Sequence, residues 1–218
     1  MSSPNTPLTQ DSVRDYTARL ASGDPTPGGG SAAALVGALA AALGEMVANF
    51  TRGKEGWEEI EPALTSLTVH REALLNLTDQ DAEAYAGVGA AYKLPKATDE
   101  DKAARTAAIQ EALKAAAQVP LGVIDEVCAA VELLPVIFEH GNRNLVSDVG
   151  VAADFAQSAL RCAWLNVEVN LSGVKDEEYK DAVRQHMEEK ISEAEKTAAL
   201  VWDDTVELIV GPADAAAL

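Results

Sequence analysis

Aromatic residues make up only 5% of this 218-residue chain, which also contains just two cysteines and three histidines. Few aromatic and many alanine side chains favour closely packed helices over a β-sandwich. Cys128 and Cys162 have no partner at metal-ligand spacing, and no HExxH pattern occurs. We therefore expect no metal site and two buried free thiols, which suit a reducing cytoplasm.

Basic residues are also scarce. The chain has 17 Lys and Arg against 35 Asp and Glu, which gives a formal net charge of −18. Such a surface repels the phosphates of nucleic acid, so we expect no nucleic-acid partner. An anionic small molecule stays possible, because a local basic pocket can exist on an acidic protein.

The chain contains no hydrophobic run long enough to suggest a signal peptide or a membrane-spanning helix. The first residues lack the basic and apolar regions of a signal peptide, so none is predicted. The apolar run at 32–44 is shorter than the roughly 20 residues that span a bilayer. It is followed by Glu45. We interpret the run as a buried core helix and expect no membrane association.

Hydrophobic periodicity and turn residues predict an all-α protein. Thr9 is the expected N-cap of the first helix, Thr98 and Asp101 form a capping box, Pro120 begins a helix and Pro135 kinks it. The predicted helices cover residues 10–22, 31–50, 57–92, 99–117, 120–139, 144–171 and 176–210. This is one domain over 10–210, a bundle of about seven helices around the Ala/Gly-rich second helix, with flexible ends at 1–9 and 211–218.

The segment PTPGGGS (25–31) joins rigid prolines to three glycines at a predicted helix start. Free N–H groups at such a start can hold an anion. No lysine follows the glycines and no strand precedes them, so a nucleotide-binding loop is excluded. Two interpretations stay open: a tight entry turn, or a ligand contact made by Pro27 and by Gly28, Gly29, Gly30 and Ser31.

One face of the third predicted helix carries Asp81, Tyr85, Val88 and Tyr92 at helical spacing. A carboxylate on a partly aromatic face is a candidate general acid or base. The alternative is a solvated acid, as most are in so acidic a protein. The spacing alone favours the solvated acid.

The stretch HGNRNLVSD (140–148) gathers many polar groups around a helix start. Asn142, Asn144 and Ser147 are good capping residues, yet together they exceed what one cap requires. Asp148 precedes an apolar run and is a candidate buried carboxylate. Lys96 and Arg105 are basic exceptions that either meet an anionic ligand or pair with nearby acids.

Four stretches occur in one order along nearly the whole chain. They are PTPGGGSAAALVGALAAAL (25–43), DAEAYAGVGAAYKLPKATDEDKAARTAAIQEALKAAAQVPL (81–121), GNRNLVSDVGVAA (141–153) and LNVEVNL (165–171). Together they resemble the cyclodeaminase/cyclohydrolase family of folate one-carbon enzymes. The resemblance implies an all-helical homodimer that binds tetrahydrofolate, with no cofactor beyond this one-carbon carrier.

The resemblance also assigns roles to the candidate residues. It implies that Asp81 is catalytic, together with Asp148 and Lys96. The implied folate-binding residues are Pro27, Gly28, Gly29, Gly30, Ser31, Tyr85, Arg105, Asn142, Asn144 and Ser147. The expected activity is that of a methenyltetrahydrofolate cyclohydrolase. The alternatives are a formimidoyltetrahydrofolate cyclodeaminase that releases ammonia and a folate-binding protein without catalysis.

Overall fold

A computed structural model describes residues 7–211 of the chain. Within this range the chain forms seven α-helices and no strand, which confirms the predicted all-α fold. The helices are Val13–Leu20 (α1), Gly29–Thr51 (α2), Trp57–Tyr92 (α3), Asp99–Val131 (α4), Leu134–His140 (α5), Val146–Leu171 (α6) and Glu177–Val210 (α7). Short 3-10 turns, Leu8–Gln10 and Arg143–Leu145, precede α1 and α6.

Helix α2 lies at the centre of the bundle and contacts α3, α4, α5 and α6. Its small side chains permit this close packing: a Cβ added to Gly37 would lie 2.7 Å from Val127 of α4. By length and composition α2 is the one helix of the described chain that could cross a membrane. More than half of its most apolar window is buried inside the bundle, as the predicted core helix requires.

Helix α4 departs from the prediction, which ended a helix at 117 and began another at Pro120. In the structure α4 continues through Pro120, which is buried in the core. A proline inside a helix removes one backbone hydrogen bond, and here the burial of Leu121 and Ile124 beside it offsets that loss. The chain instead leaves the helical path between Val131 and Leu134. Pro135 occupies the first turn of α5, where proline is tolerated, and it does not kink a longer helix as predicted.

The helix starts test the predicted caps. Thr98 and Asp101 form the capping box at the start of α4, as predicted. The cap of α1 is Ser12, whose hydroxyl accepts from the N–H of Asp15, and not Thr9. Thr9 instead donates from its N–H and hydroxyl to the carboxylate of Asp79 on α3.

The packed domain begins before the predicted boundary at residue 10, because Leu8 is buried. The rest of the predicted N-terminal segment, 1–6, and the predicted tail, apart from Gly211, lie outside the described residues.

The cysteines also differ from expectation. Cys128 is buried, and burial raises the pKa of its thiol to about 12, whereas Cys162 is exposed on α6. The prediction of a second buried thiol was wrong because Cys162 falls on the outer side of α6.

Candidate active site

The glycine segment forms the entry to α2. Gly28 is the N-cap residue, with an extended backbone and no side chain, and α2 begins at Gly29. Pro25 and Thr26 of the preceding loop line a cleft, whereas Pro27 is buried and does not line it. The N-cap residue therefore offers no side chain to the first N–H groups of α2, which lie at the positive end of the helix.

Asp81 projects from α3 directly against this helix start. The N–H of Ser31 donates a hydrogen bond to its carboxylate. A Cβ on Gly30 would overlap Oδ1 of Asp81 and lie 2.7 Å from its Cγ, so only glycine leaves room for the carboxylate. Burial raises the pKa of Asp81 above its usual value, and the Ser31 hydrogen bond only partly opposes this rise.

Tyr16 of α1 contacts Ser31, the residue that binds Asp81. Its hydroxyl lies 3.1 Å from the hydroxyl of Ser31, and both residues are buried. Burial raises the pKa of Tyr16, and the negative charge of Asp81 adds to the rise although the Ser31 bond lowers it. Tyr16 therefore stays protonated near neutral pH. Sequence reasoning missed this residue, because no local pattern marks α1 as part of a site.

The cleft encloses about 370 Å³, within the range of small-molecule sites. Its walls are mostly apolar, and Tyr85 lies one turn from Asp81 with 54% of its surface exposed. Besides Asp81, the helices α3, α4 and α6 contribute Ala84, Tyr85, Val88, Leu113, Ala116, Asn166, Val169 and Asn170. A flat apolar ligand with polar edges would fit between these walls.

Two asparagines of α6 supply polar groups opposite Asp81. The Asn166 amide lies beside Gly29, where an added Cβ would meet it at 3.5 Å. Its Nδ2 donates to the carbonyl of Cys162, and Nδ2 of Asn170 donates to the carbonyl of Asn166. Both fall in the stretch LNVEVNL, whose two asparagines at i, i+4 were the available signal, although sequence reasoning gave them no role.

Two predicted basic residues lie outside this cleft. Lys96 is exposed in the loop between α3 and α4. Arg105 of α4 donates to the carbonyl of Tyr92 at 3.0 and 3.2 Å and stacks on the Tyr92 ring. Tyr92 is the last residue of α3, eleven residues beyond Asp81 and about 16 Å along the helix. Arg105 thus binds the C-terminal residue of α3, away from the cleft.

The polar segment 142–148 lies at the opposite end of α2. The N–H of Asn142 donates to Oγ1 of Thr51, the last residue of α2. The cleft lies at the first residues of the same helix, about 33 Å away by the rise of a 23-residue helix. Asn142, Asn144, Ser147 and Asp148 therefore do not line the cleft of their own chain.

A larger surface hollow of about 930 Å³ lies between α6 and α7. Ion pairs between Arg161 and Glu195 and between Arg184 and Glu168 bridge its two sides. Their charges are paired with each other, so the hollow is a solvated groove between two helices.

No group of three or more His, Cys, Asp or Glu in the described part of the chain is arranged to hold a metal ion.

The fold and the cleft define an all-α protein with a cleft of small-molecule size beside one half-buried carboxylate. A model of the formiminotransferase-cyclodeaminase family matches residues 12–189, and the chain belongs to this family. It is 42% identical over 188 residues to a methenyltetrahydrofolate cyclohydrolase of Methylorubrum extorquens, covering 84% of this chain and 90% of that protein.

Two further relatives extend the comparison. The chain is 35% identical to the formimidoyltransferase-cyclodeaminase of Rattus norvegicus, with 92% of this chain matched to 38% of that longer protein. The crystal structure of a formiminotetrahydrofolate cyclodeaminase from Thermotoga maritima superposes with a TM-score of 0.75 at 34% identity. That match covers 94% of this chain and 98% of the other.

Proposed function

We propose that the protein is a methenyltetrahydrofolate cyclohydrolase, which interconverts 5,10-methenyltetrahydrofolate and 10-formyltetrahydrofolate. The observation that carries the proposal is the half-buried carboxylate of Asp81, which has a raised pKa and lies in a cleft of suitable size at the start of α2. The Methylorubrum extorquens relative of that name supports it, because the match covers 90% of that protein.

The proposed chemistry uses Asp81 as a proton acceptor and donor. The substrate carries a positive charge spread over N5, the bridging carbon and N10, which the carboxylate would stabilise. Water attacks the carbon and gives one proton to Asp81, which leaves a neutral hydroxyl adduct. The C–N5 bond then breaks as Asp81 returns its proton to N5. The hydroxyl loses its proton to solvent, so the reaction releases one proton overall.

The walls of the cleft suggest how the folate is held. The pterin ring would lie between the apolar side chains of α4 and the ring of Tyr85, and Asn166 and Asn170 would meet its polar edge. The anionic glutamate tail would then extend along α3 towards Lys96 and Arg105. This assigns Lys96 to tail binding rather than to the reacting centre, because it lies outside the cleft.

A formimidoyltetrahydrofolate cyclodeaminase is the second candidate. The Thermotoga maritima structure favours it, since that chain is matched over 98% of its length by this one. In that reaction N10 attacks the formimino carbon and ammonia leaves. Asp81 would accept the N10 proton and protonate the departing nitrogen, so the same site serves both reactions.

Turnover measurements distinguish the candidates. Loss of methenyltetrahydrofolate absorbance and release of ammonia from 5-formiminotetrahydrofolate are followed with purified protein. Faster turnover of the methenyl compound supports the cyclohydrolase, whereas faster ammonia release supports the cyclodeaminase. Folate binding without acceleration of either reaction would identify a non-catalytic folate-binding protein.

Asp81→Asn tests the proposed role of the carboxylate. We expect a loss of at least about a hundredfold in kcat with folate affinity retained. Glu83→Gln is the matched control, because Glu83 is an exposed carboxylate two residues away on α3, and it should leave kcat unchanged. Full turnover by Asp81→Asn would refute the assignment.

We also propose that the protein is a cytoplasmic homodimer. Two free cysteines, one of them exposed, are compatible with a reducing compartment. Several large apolar side chains of α2 and α6 are exposed, including Leu39, Phe50 and Leu165, and a second copy would cover them.

A further inference from the structure

The connection between α6 and α7, residues 172–176, contacts two walls of the Asp81 cleft through Gly173. On α4, Cδ1 of Leu113 lies so near that a Cβ added to Gly173 would meet it at 2.8 Å. On α6, the carbonyl of Asn170 accepts from the N–H of Gly173 at 3.2 Å. Leu113 and Asn170 both line the cleft. The position of this glycine is therefore linked to the spacing of the two walls.

Gln110 of α4 holds the connection through its side-chain amide, an arrangement that we call the Gln110 clamp. Its Nε2 donates to the carbonyl of Gly173 at 2.9 Å, and its Oε1 accepts from the N–H of Lys175 at 2.7 Å. The donor and the acceptor of the amide are both used, which fixes its orientation. One turn further along α4, Lys114 pairs with Asp176 at 2.7 Å. Two successive turns of α4 therefore bind the connection near its start and at its end.

The clamp and the cleft wall belong to the same turn of α4. Gln110 and Leu113 are three residues apart and so lie on the same side of the helix. Leu113 is only 6% exposed and belongs to the packed core. A side chain displaced in a close-packed core moves towards open space, and the cleft is the open space beside Leu113. Movement of Gly173 against Leu113 therefore changes the room that the cleft offers a ligand.

We propose that Gln110 is a positioning residue for the cleft: by holding Gly173 against Leu113, it sets the spacing of the α4 and α6 walls and thereby the affinity for the folate. The inference rests on the proposed function for the identity of this ligand, since the pterin ring would lie on the apolar side chains of α4. Gln110 itself does not line the cleft. It is therefore expected to act on KM and not on kcat. A role in stability alone would change the melting temperature and leave KM unaltered.

Gly173→Ala tests the contact with Leu113. The backbone of Gly173 is not left-handed, so alanine fits there, and the new methyl group displaces the end of the Leu113 side chain. One methylene in an apolar site changes binding by roughly 10–200-fold, and we expect the low end, about a tenfold rise in KM with kcat within about twofold.

Gly23→Ala is the matched control for this change. Gly23 is an exposed glycine at which an added Cβ meets nothing within 4 Å, and its backbone is not left-handed either. It should leave both KM and kcat unchanged. An unchanged KM in a folded Gly173→Ala would overturn the inference.

The route through Leu113 is tested in a second background. Valine lacks the δ carbon that a Cβ on Gly173 would meet, so Gly173→Ala should raise KM far less when Leu113 is changed to valine. The comparison is a double-mutant cycle, in which the effect of Leu113→Val alone is measured and subtracted. Additive effects of the two changes on KM would contradict a coupling between Gly173 and the cleft wall.

Gln110→Leu tests the clamp itself. It removes both hydrogen bonds to the connection, and we expect KM to rise by about threefold or more with kcat retained. Gln118→Leu is the matched control, because Gln118 lies two turns further along α4 and donates to the hydroxyl of Tyr179 at 2.7 Å instead. It should lower the melting temperature without changing KM. Equal KM values for the two variants would refute the clamp.

A measurement without folate tests the spacing of the walls directly. The reporter is Ala116→Cys in a chain that also carries Cys162→Ser. Ala116 lines the cleft one turn after Leu113, and a side chain at this position points back towards that residue. Cys128 is buried, with a thiol pKa of about 12, and does not compete. The reaction with a bulky maleimide should slow severalfold when Gly173→Ala is added, and equal rates would overturn the inference.

Failure of this inference and failure of the proposed function give different results. If the wild type neither binds nor converts either folate substrate, the proposed function is wrong, and the maleimide rates still decide whether Gly173 sets the cleft. If the wild type is active and both Gly173→Ala and Gln110→Leu keep its KM, the proposed function stands and the positioning role of Gln110 is wrong.

Discussion

The N–H of Ser31 donates to the carboxylate of Asp81, and this bond joins the start of α2 to the middle of α3. Two effects act on the carboxylate there. The N–H and the positive end of α2 favour its charged form, whereas burial disfavours it. Burial is the larger effect, so the pKa is raised, as would suit the proposed acceptor and donor of a proton.

Gly30→Ala should displace this carboxylate. The new methyl group would overlap Asp81, and the side chain must rotate away from Ser31. A shift of about 1 Å at a reacting group costs roughly a hundredfold in rate, and we expect a fall of this size in kcat. Steady-state kinetics measures the fall in kcat, and thermal unfolding shows whether the variant is still folded.

Gly89→Ala is the control for that change. Gly89 lies inside α3, and an added Cβ there meets nothing within 4 Å. Alanine in a helix interior should raise the free energy of unfolding by about 0.5–1 kcal/mol and leave kcat unchanged. If Gly30→Ala were as active as Gly89→Ala, the contact between Gly30 and Asp81 would not matter for the reaction.

The raised pKa of Asp81 predicts an acid limb in the pH profile. As a general base the carboxylate must be ionised, so kcat/KM should fall as the pH drops through its pKa. Because burial raises that pKa, the midpoint is expected above the ordinary value of 3.8. Residual activity of Asp81→Asn should lack this limb. A midpoint at or below 3.8 in the wild type would be inconsistent with a base whose pKa is raised by partial burial.

The same shift predicts a cost to stability at neutral pH. A carboxyl whose folded pKa is raised binds its proton more tightly in the folded state than in the unfolded state. Above the folded pKa the charge therefore opposes folding, and the opposition disappears as pH falls to 3.8. Asp81→Asn should melt above the wild type at pH 7, and the difference should vanish near pH 3.8. A melting temperature for the variant below that of the wild type at pH 7 would argue against the raised pKa.

Tyr16→Phe tests the support behind Ser31. Loss of the hydroxyl removes the 3.1 Å contact to Ser31 and should lower the free energy of unfolding by about 1 kcal/mol. Because Ser31 positions Asp81, kcat should also fall, by less than in Asp81→Asn. Tyr179→Phe is the matched control: that hydroxyl bonds Gln118 and Lys114 away from the cleft. It should lose stability without losing kcat.

Much of the fold could be predicted because its signals are local. The predicted bounds of α3, Trp57 to Tyr92, agree with the structure, and the Thr98 capping box depends on residues three apart. Pro120 could not be placed correctly, since its tolerance inside α4 depends on burial against other helices. The burial of Cys162 was predicted wrongly for a related reason, because apolar neighbours along a helix do not reveal which side of the helix faces outward.

The candidate site was harder to predict. The pairing of the glycine segment with Asp81 is consistent with the structure, yet neither pattern alone indicated that Gly30 and Asp81 touch. Tyr16 was missed because it is 65 residues before Asp81 and acts through Ser31. Asn142 and Asp148 looked like neighbours of the glycine segment, but the length of α2 separates them, and a linear sequence does not show such distances.

The crowding of α2 limits how this protein can change. Residues 29–44 contain no charged side chain: some border the cleft, some fill the core, and the rest lie on the outer side of the helix. On α7, by contrast, acidic and basic residues recur on the solvent side at nearly every turn. A saturation mutagenesis scan scored for activity should therefore find a tolerant side on α7 and none on the first four turns of α2. New variants of this protein would then be expected to accumulate at the bundle's periphery, while its central helix stays nearly fixed.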